Sequence, residues 1–150
     1  MRAVIQRVSK ASVEIEGAIV GAIEVGLMIL LGIENKDTEE DVEWLCRKIS
    51  KMRIFPDSND VMNKSLIDIN GNALVISQFT LHAETKKGNR PSYIKAAKPD
   101  ISNSLYRSFV KQLEKEINKI VETGEFGAHM NVSLVNDGPV TIILDSKRKE

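Results

Sequence analysis

Cysteine occurs once and histidine twice in this chain of 150 residues, and that scarcity removes several chemistries at once. Cys46 alone cannot close an internal disulfide, which fits a reducing cytosol. His82 and His129 with a single thiol cannot supply a familiar zinc motif, and neither lies at a ligand spacing from the other. Neither a GxxxxGKS/T phosphate loop nor a GxGxxG fingerprint occurs, and no GxSxG elbow surrounds any serine. A metal, cofactor or standard side-chain-driven enzyme is therefore disfavoured, and no metal and no cofactor is expected.

An excess of charge of one sign is also missing. The 21 basic and 21 acidic residues give a formal net charge of zero, which argues against a chain held on nucleic acid by bulk charge, and DNA is not an expected partner. Long apolar runs are absent too. Val25 to Ile33 is the longest, and it is too short for a transmembrane helix, so no membrane is expected as a partner. The opening stretch MRAVIQRVSK lacks the apolar core and cleavage site of a signal peptide. A cytoplasmic location follows as an expectation.

What is present reads as one domain, residues 1–150, able to bury roughly two thirds of the surface of its unfolded chain. RAVIQRV places Ala3, Ile5 and Arg7 on one face, and Glu16-Gly17 reads as a hairpin turn. VGLMILLGI has the length of a strand buried on both faces. From Asp37 a capped, acidic start leads into Val42, Leu45, Cys46, Ile49 and Met52 at helical spacing. RIFPDSNDVMNKS is expected as a loop, and Asn70-Gly71 signals a hairpin between SLIDI and ALVISQFTL. A second helix is predicted over ISNSLYRSFVKQLEKEINKIV, ended near Gly124. Two further strands are expected near 129–135 and 140–145, on either side of Gly138-Pro139. Many strands, short turns and two main helices give an α+β class, with mainly antiparallel sheets in a barrel-like or sandwich core and no alternating βαβ units.

Two features are odd for structural reasons alone. Ser77, Gln78 and Thr80 end a strongly apolar strand, either running out into a polar turn or offering hydroxyls, an amide and backbone N–H groups to a ligand. Lys86, Lys87, Arg90, Lys95 and Lys98 form a strip without an acid, either a solvated loop or a phosphate contact.

SQFTL at 77–81 with NDGPVT at 136–141 resembles the D-aminoacyl-tRNA deacylase family. IQRV, LLGIE, RIFPD, NRPSY and FGAHM extend the resemblance in order over nearly the whole chain. The resemblance implies a homodimer that hydrolyses the ester between a D-amino acid and the terminal ribose of tRNA, and that also clears glycine mischarged on tRNA for alanine. It puts the catalytic motif on Ser77, Gln78, Phe79 and Thr80. It puts a chiral-selection motif, a Gly-cis-Pro dipeptide reaching into the partner's site, on Gly138 and Pro139, with Arg7 holding it. Phe126 would stand near the terminal adenosine and Met130 would line the pocket. The basic strip then becomes a tRNA phosphate contact at Lys86, Lys87 and Arg90.

A rigid carbonyl aimed at the chiral carbon rejects every L side chain by clash, and cannot reject glycine. N–H groups around Phe79 and Thr80 would polarise the ester carbonyl, with the 2′-hydroxyl of the ribose assisting. Thr80 could instead be a nucleophile, with His82 on its face if the strand stays extended, though no general base lies in the motif. Two other readings stay open: a hydrolase of the same fold acting on a different ester or on L-alanyl-tRNA, and a catalytically silent dimer that only binds the tRNA end.

Overall fold

The computed structural model describes residues 1–149. Its centre is β1 (Arg2–Ile15), long enough to carry neighbours on both edges. Along one edge lie β2 (Ala18–Ile23) and β3 (Gly26–Gly32), antiparallel to its far and near halves. The other edge takes β8 (Asn131–Asp145), antiparallel over nearly its whole length. Glu16 and Gly17, both at positive φ, make the β1–β2 turn that the sequence signals.

The other side of β3 pairs with β6 (Asn72–Ser77), and β6 pairs with β7 (Glu122–Thr123). Both pairings are parallel, so the sheet is mixed and its antiparallel part is confined to β1 and its partners. The parallel pairs correct the expectation of no βαβ units. Each is joined by a helical crossover, α1 (Glu39–Lys51) between β3 and β6 and α2 (Pro99–Ile117) between β6 and β7. The sheet curls until β2 meets β7, and a Cβ on Gly21 would lie 2.7 Å from the Thr123 carbonyl oxygen. The result is a nearly closed barrel in the α+β class.

One core fills the barrel with Val8, Val13, Ile23, Met28, Leu74 and Ile76. A larger one lies between the sheet and the paired helices, around Ile29, Leu45, Ile49, Val75, Phe109 and Leu113. Strand β3 faces both, which is why its residues are apolar on each side. Thr38 caps α1 through a reciprocal box with Asp41. Cys46 is fully buried with its thiol near the Phe109 carbonyl, and burial pushes its pKa far up; it is a core residue.

Several expectations change locally. SLIDI is a set of turns in which the Asp68 carboxylate accepts from the Ser65 N–H and hydroxyl, so Asn70-Gly71 feeds a parallel strand and not a hairpin. The expected loop at 53–65 contains a small ribbon, β4 (Phe55–Pro56) against β5 (Met62–Lys64). Helix α2 stops at Asn118 in the left-handed conformation, not near Gly124, and Ile120 is exposed. The two strands expected around Gly138-Pro139 are one strand, β8, interrupted by a bulge.

Candidate active site

The carboxyl end of β6 sets up the first part of the site. Ser77 pairs opposite Leu31, and the Gln78 N–H donates to the Leu31 carbonyl at 2.8 Å. The chain then leaves the ladder in a single 3₁₀ turn, Phe79–His82. Gly32 makes room for it: a Cβ there would lie 2.9 Å from Leu81 Cβ and 3.0 Å from the Gln78 carbonyl oxygen. From the other side Arg2 Nη1 donates to the Leu81 carbonyl at 2.7 Å, and Arg2 is itself paired with Asp145 at 2.9 Å. The N–H groups of Phe79 and Thr80 open this turn, where a helix has no partners of its own to offer.

The turn corrects the picture of an extended strand. His82 does not share an exposed face with Thr80. It is buried, its Nδ1 lies 3.9 Å from Glu34, and its Nε2 is without a hydrogen-bond partner among the described residues. The Thr80 hydroxyl accepts from Gln78 Nε2, with no histidine in that contact.

A cleft of about 610 Å³ opens at this strand end. Ser77, Gln78, Phe79, Phe126 and Met130 all line it, so five residues named from the sequence converge on one space. Thr80 is not among the lining residues. Phe126 is backed by Tyr106 at a ring separation of 5.9 Å, and Tyr106 anchors itself by donating to the Val75 carbonyl at 2.8 Å. Burial pushes the Tyr106 pKa up to about 12, so it remains a neutral donor there. The cleft also takes in residues to which the sequence reading gave no place in the site, chiefly Tyr93, Ser102 and His129. Tyr93 stands edge-on to Phe79, with ring centroids 5.0 Å apart. An aromatic set inside the basic strip, between Arg90 and Lys95, was the signal available for it.

The second motif lies elsewhere. In the β1–β8 ladder Gln6 pairs with Thr141 and Val8 with Asn136, so Arg7 alone faces residues 137–140. The extra residues loop out as a bulge whose base is tied by Asn136 Nδ2 donating to Thr141 Oγ1 at 3.0 Å and the Val140 N–H donating to Asn136 Oδ1 at 3.1 Å. Arg7 Nε donates to the Asp137 carbonyl at 3.1 Å, Nη1 donates to the Ile54 carbonyl at 2.7 Å, and the Asp137 carboxylate lies 3.2 Å away. The Gly138–Pro139 peptide bond is cis, with both residues exposed and neither lining the cleft of its own chain.

Lys86, Lys87 and Arg90 are exposed on the loop after the 3₁₀ turn. That loop is closed by reciprocal backbone bonds between Glu84 and Ser92, at 2.8 and 3.0 Å. Among the described residues no group of three or more histidine, cysteine, aspartate or glutamate side chains is placed to hold a metal ion. Among them, too, no helix is long and apolar enough to cross a membrane.

The arrangement is a cleft of small-ligand size at a strand end, beside the first backbone N–H groups of a 3₁₀ turn. Comparison with known proteins narrows this class: the family model described as D-Tyr-tRNA(Tyr) deacylase matches residues 4–145, and the chain belongs to that family. It is 62% identical to the D-aminoacyl-tRNA deacylase of Flavobacterium johnsoniae and 64% identical to that of Bacteroides fragilis strain YCH46, over the full length of both chains in each case. Among solved structures it is similar to a c-Myc DNA Unwinding Element Binding Protein, with a TM-score of 0.91 and 40% identity over 97% of this chain and 98% of that one. It shares its fold with a probable eukaryotic D-amino acid tRNA deacylase, at a TM-score of 0.82 and 16% identity over 95% and 97% of the two chains.

Proposed function

We propose that this chain is a cytoplasmic D-aminoacyl-tRNA deacylase that works as a homodimer. It hydrolyses the ester between a D-amino acid and the terminal ribose of tRNA, and clears glycine from tRNA for alanine. The observation that carries the reading is the convergence of Ser77, Gln78, Phe79, Phe126 and Met130 on one cleft. The curated relatives supply the substrate class through their names.

In this mechanism the terminal adenosine lies against Phe126 with Met130 lining the pocket, and the ester carbonyl points at the N–H groups of Phe79 and Thr80. Water, positioned by the ribose 2′-hydroxyl, attacks the carbonyl carbon. The oxyanion that forms is held by those two donors, worth roughly 3–4 kcal/mol per pre-aimed donor. The carbon–ribose oxygen bond then breaks, the ribose oxygen takes up the proton that the attacking water gives up, and free amino acid leaves. Ser77 and Gln78 shape the wall beside the ester, and Gln78 also fixes the Thr80 hydroxyl.

Chirality is read by the Gly138-Pro139 bulge of the other subunit. Support for this comes from its exposure, its absence from the cleft of its own chain, and its rigid attachment through Arg7. A backbone probe beside the chiral carbon excludes any L side chain and admits glycine. Lys86, Lys87 and Arg90 receive the phosphates of the acceptor end. The same loop would also serve the DNA-binding role named for one solved relative. The ribose 2′-hydroxyl that the mechanism uses is absent from DNA, and this favours RNA.

The test is incubation with D-tyrosyl-tRNA and L-tyrosyl-tRNA. Rapid loss of the D ester alone is expected. Loss of the L ester would move the chain to another specificity, and retained binding without loss of either would make it a silent tRNA-end binder.

A further inference from the structure

We propose that Phe79 and Tyr93 form a stacking shelf for the nucleobase that precedes the terminal adenosine of the substrate RNA. The inference rests on the deacylase reading and adds a second base-binding site to it. Phe79 is 55% exposed and Tyr93 39%, although both rings are large and apolar. They meet edge to face at 75°, which leaves ring surface open to solvent at the cleft.

The shelf is built before any ligand arrives. Phe79 begins a turn whose preceding N–H is bonded to β3, and Tyr93 directly follows the Glu84–Ser92 closure of the loop. A cleft of about 610 Å³ matches one ligand of drug size, such as a nucleoside with its amino acid. The next nucleotide must therefore leave across the rim. The rim at Tyr93 continues into the loop bearing Lys86, Lys87 and Arg90, none of which is in an ion pair among the described residues. The acid of that loop, Glu84, is already taken by Lys95 at 3.0 Å. Exposed aromatics beside free cations match a single-stranded nucleic acid, with bases on the rings and phosphates on the cations. Stacking is tolerant of base identity, which suits an enzyme that must accept many tRNAs.

The test compares D-tyrosyl esters of adenosine and of the dinucleotide cytidylyl-adenosine. In the wild type kcat/KM should be about tenfold or more higher on the dinucleotide, the range expected for one stacked base. Tyr93→Leu should bring the dinucleotide-to-adenosine ratio close to one, and Tyr93→Phe should keep it. A wild-type ratio near one, or a ratio unchanged in Tyr93→Leu, overturns the shelf. A second readout needs no variant. An uncharged CCA trinucleotide with 2-aminopurine as its middle base should lose fluorescence on binding the wild type, and undimmed emission with binding seen by anisotropy overturns it. If the wild type cleaves neither ester, the deacylase reading itself falls.

Discussion

A Cβ added to Gly138 would lie 2.9 Å from Arg7 Nη2, so the guanidinium occupies the space a side chain would need. Arg7 thus braces the bulge twice, by bonding to the Asp137 carbonyl and by filling the space beside Gly138. Its other end is fixed by the Ile54 carbonyl at 2.7 Å. Lysine keeps the charge but loses the fork that makes both bonds. Arg7→Lys should leave a folded protein whose kcat/KM on a D ester falls at least about tenfold, while Arg7→Ala should also lose about 1–3 kcal/mol of stability by orphaning a buried carbonyl. Denaturant melts beside single-ester kinetics separate the two effects. Gly138→Ala should behave like Arg7→Lys, since φ at that position is +128° and the methyl collides with the brace.

Thr80 is bonded to Gln78 and to no histidine. Its hydroxyl therefore lacks the base a nucleophile needs. Single-turnover deacylation by Thr80→Ala should stay within about tenfold of wild type, because the N–H that polarises the carbonyl belongs to the backbone and survives the change. Near-complete loss, without loss of folding, would make Thr80 the nucleophile.

How far the sequence foretold this site depends on the range of the interactions. The alternation in Arg2–Val8, the Glu16-Gly17 turn and the capped, acidic helix start after Asp37 are local patterns, and each is found where its pattern says. Ser77 and Gln78 stand out locally as polar residues ending an apolar strand, but their meeting with Phe126 and Met130 was reached only through resemblance, because residues so far apart along the chain carry no local sign of meeting. What stayed hidden depends on partners far along the chain. Asn70-Gly71 is a turn, but whether a parallel or an antiparallel strand follows was decided by β3. SLIDI has the composition of a strand, yet Asp68 bonding back to Ser65 satisfies its backbone locally. The 3₁₀ turn at Phe79 needs the empty space at Gly32, which no reading of SQFTL alone contains. Gly138-Pro139 interrupts pairing as its composition demands, but the bulge opposite Arg7 lets one strand resume on either side.

The acid stability of the fold should rest in part on Asp41. Burial alone would raise its pKa, but Lys147 at 2.7 Å, Ser146 and the Thr38 N–H hold the carboxyl at about 2 instead of the usual 3.8. A carboxyl lowered by folding contributes stability that is complete above about pH 4 and fades as pH falls through 2. Lys147→Met should therefore move the midpoint of acid unfolding to higher pH while leaving D-ester cleavage near neutrality almost unchanged. Circular dichroism from pH 6 downward measures it, and an unmoved midpoint would show that Lys147 does not hold Asp41 in solution.

The cationic loop should reveal itself through salt. Lys86, Lys87 and Arg90 are exposed and carry no carboxylate partner among the described residues, so each is free to displace a counterion from RNA. Changing all three to glutamine should weaken tRNA binding and flatten the dependence of log Kd on log salt, by roughly 0.7 to 0.9 for each phosphate that is no longer neutralised. Because the cleft is built from other residues, cleavage of a D ester on adenosine alone should change much less than cleavage on whole tRNA. An unchanged salt slope would return the strip to a solvated loop and leave the shelf at Tyr93 without its electrostatic neighbour. A flattened slope with intact adenosine-ester cleavage would instead divide the labour physically: long-range attraction in the loop, stacking at the rim and polarisation at the end of β6.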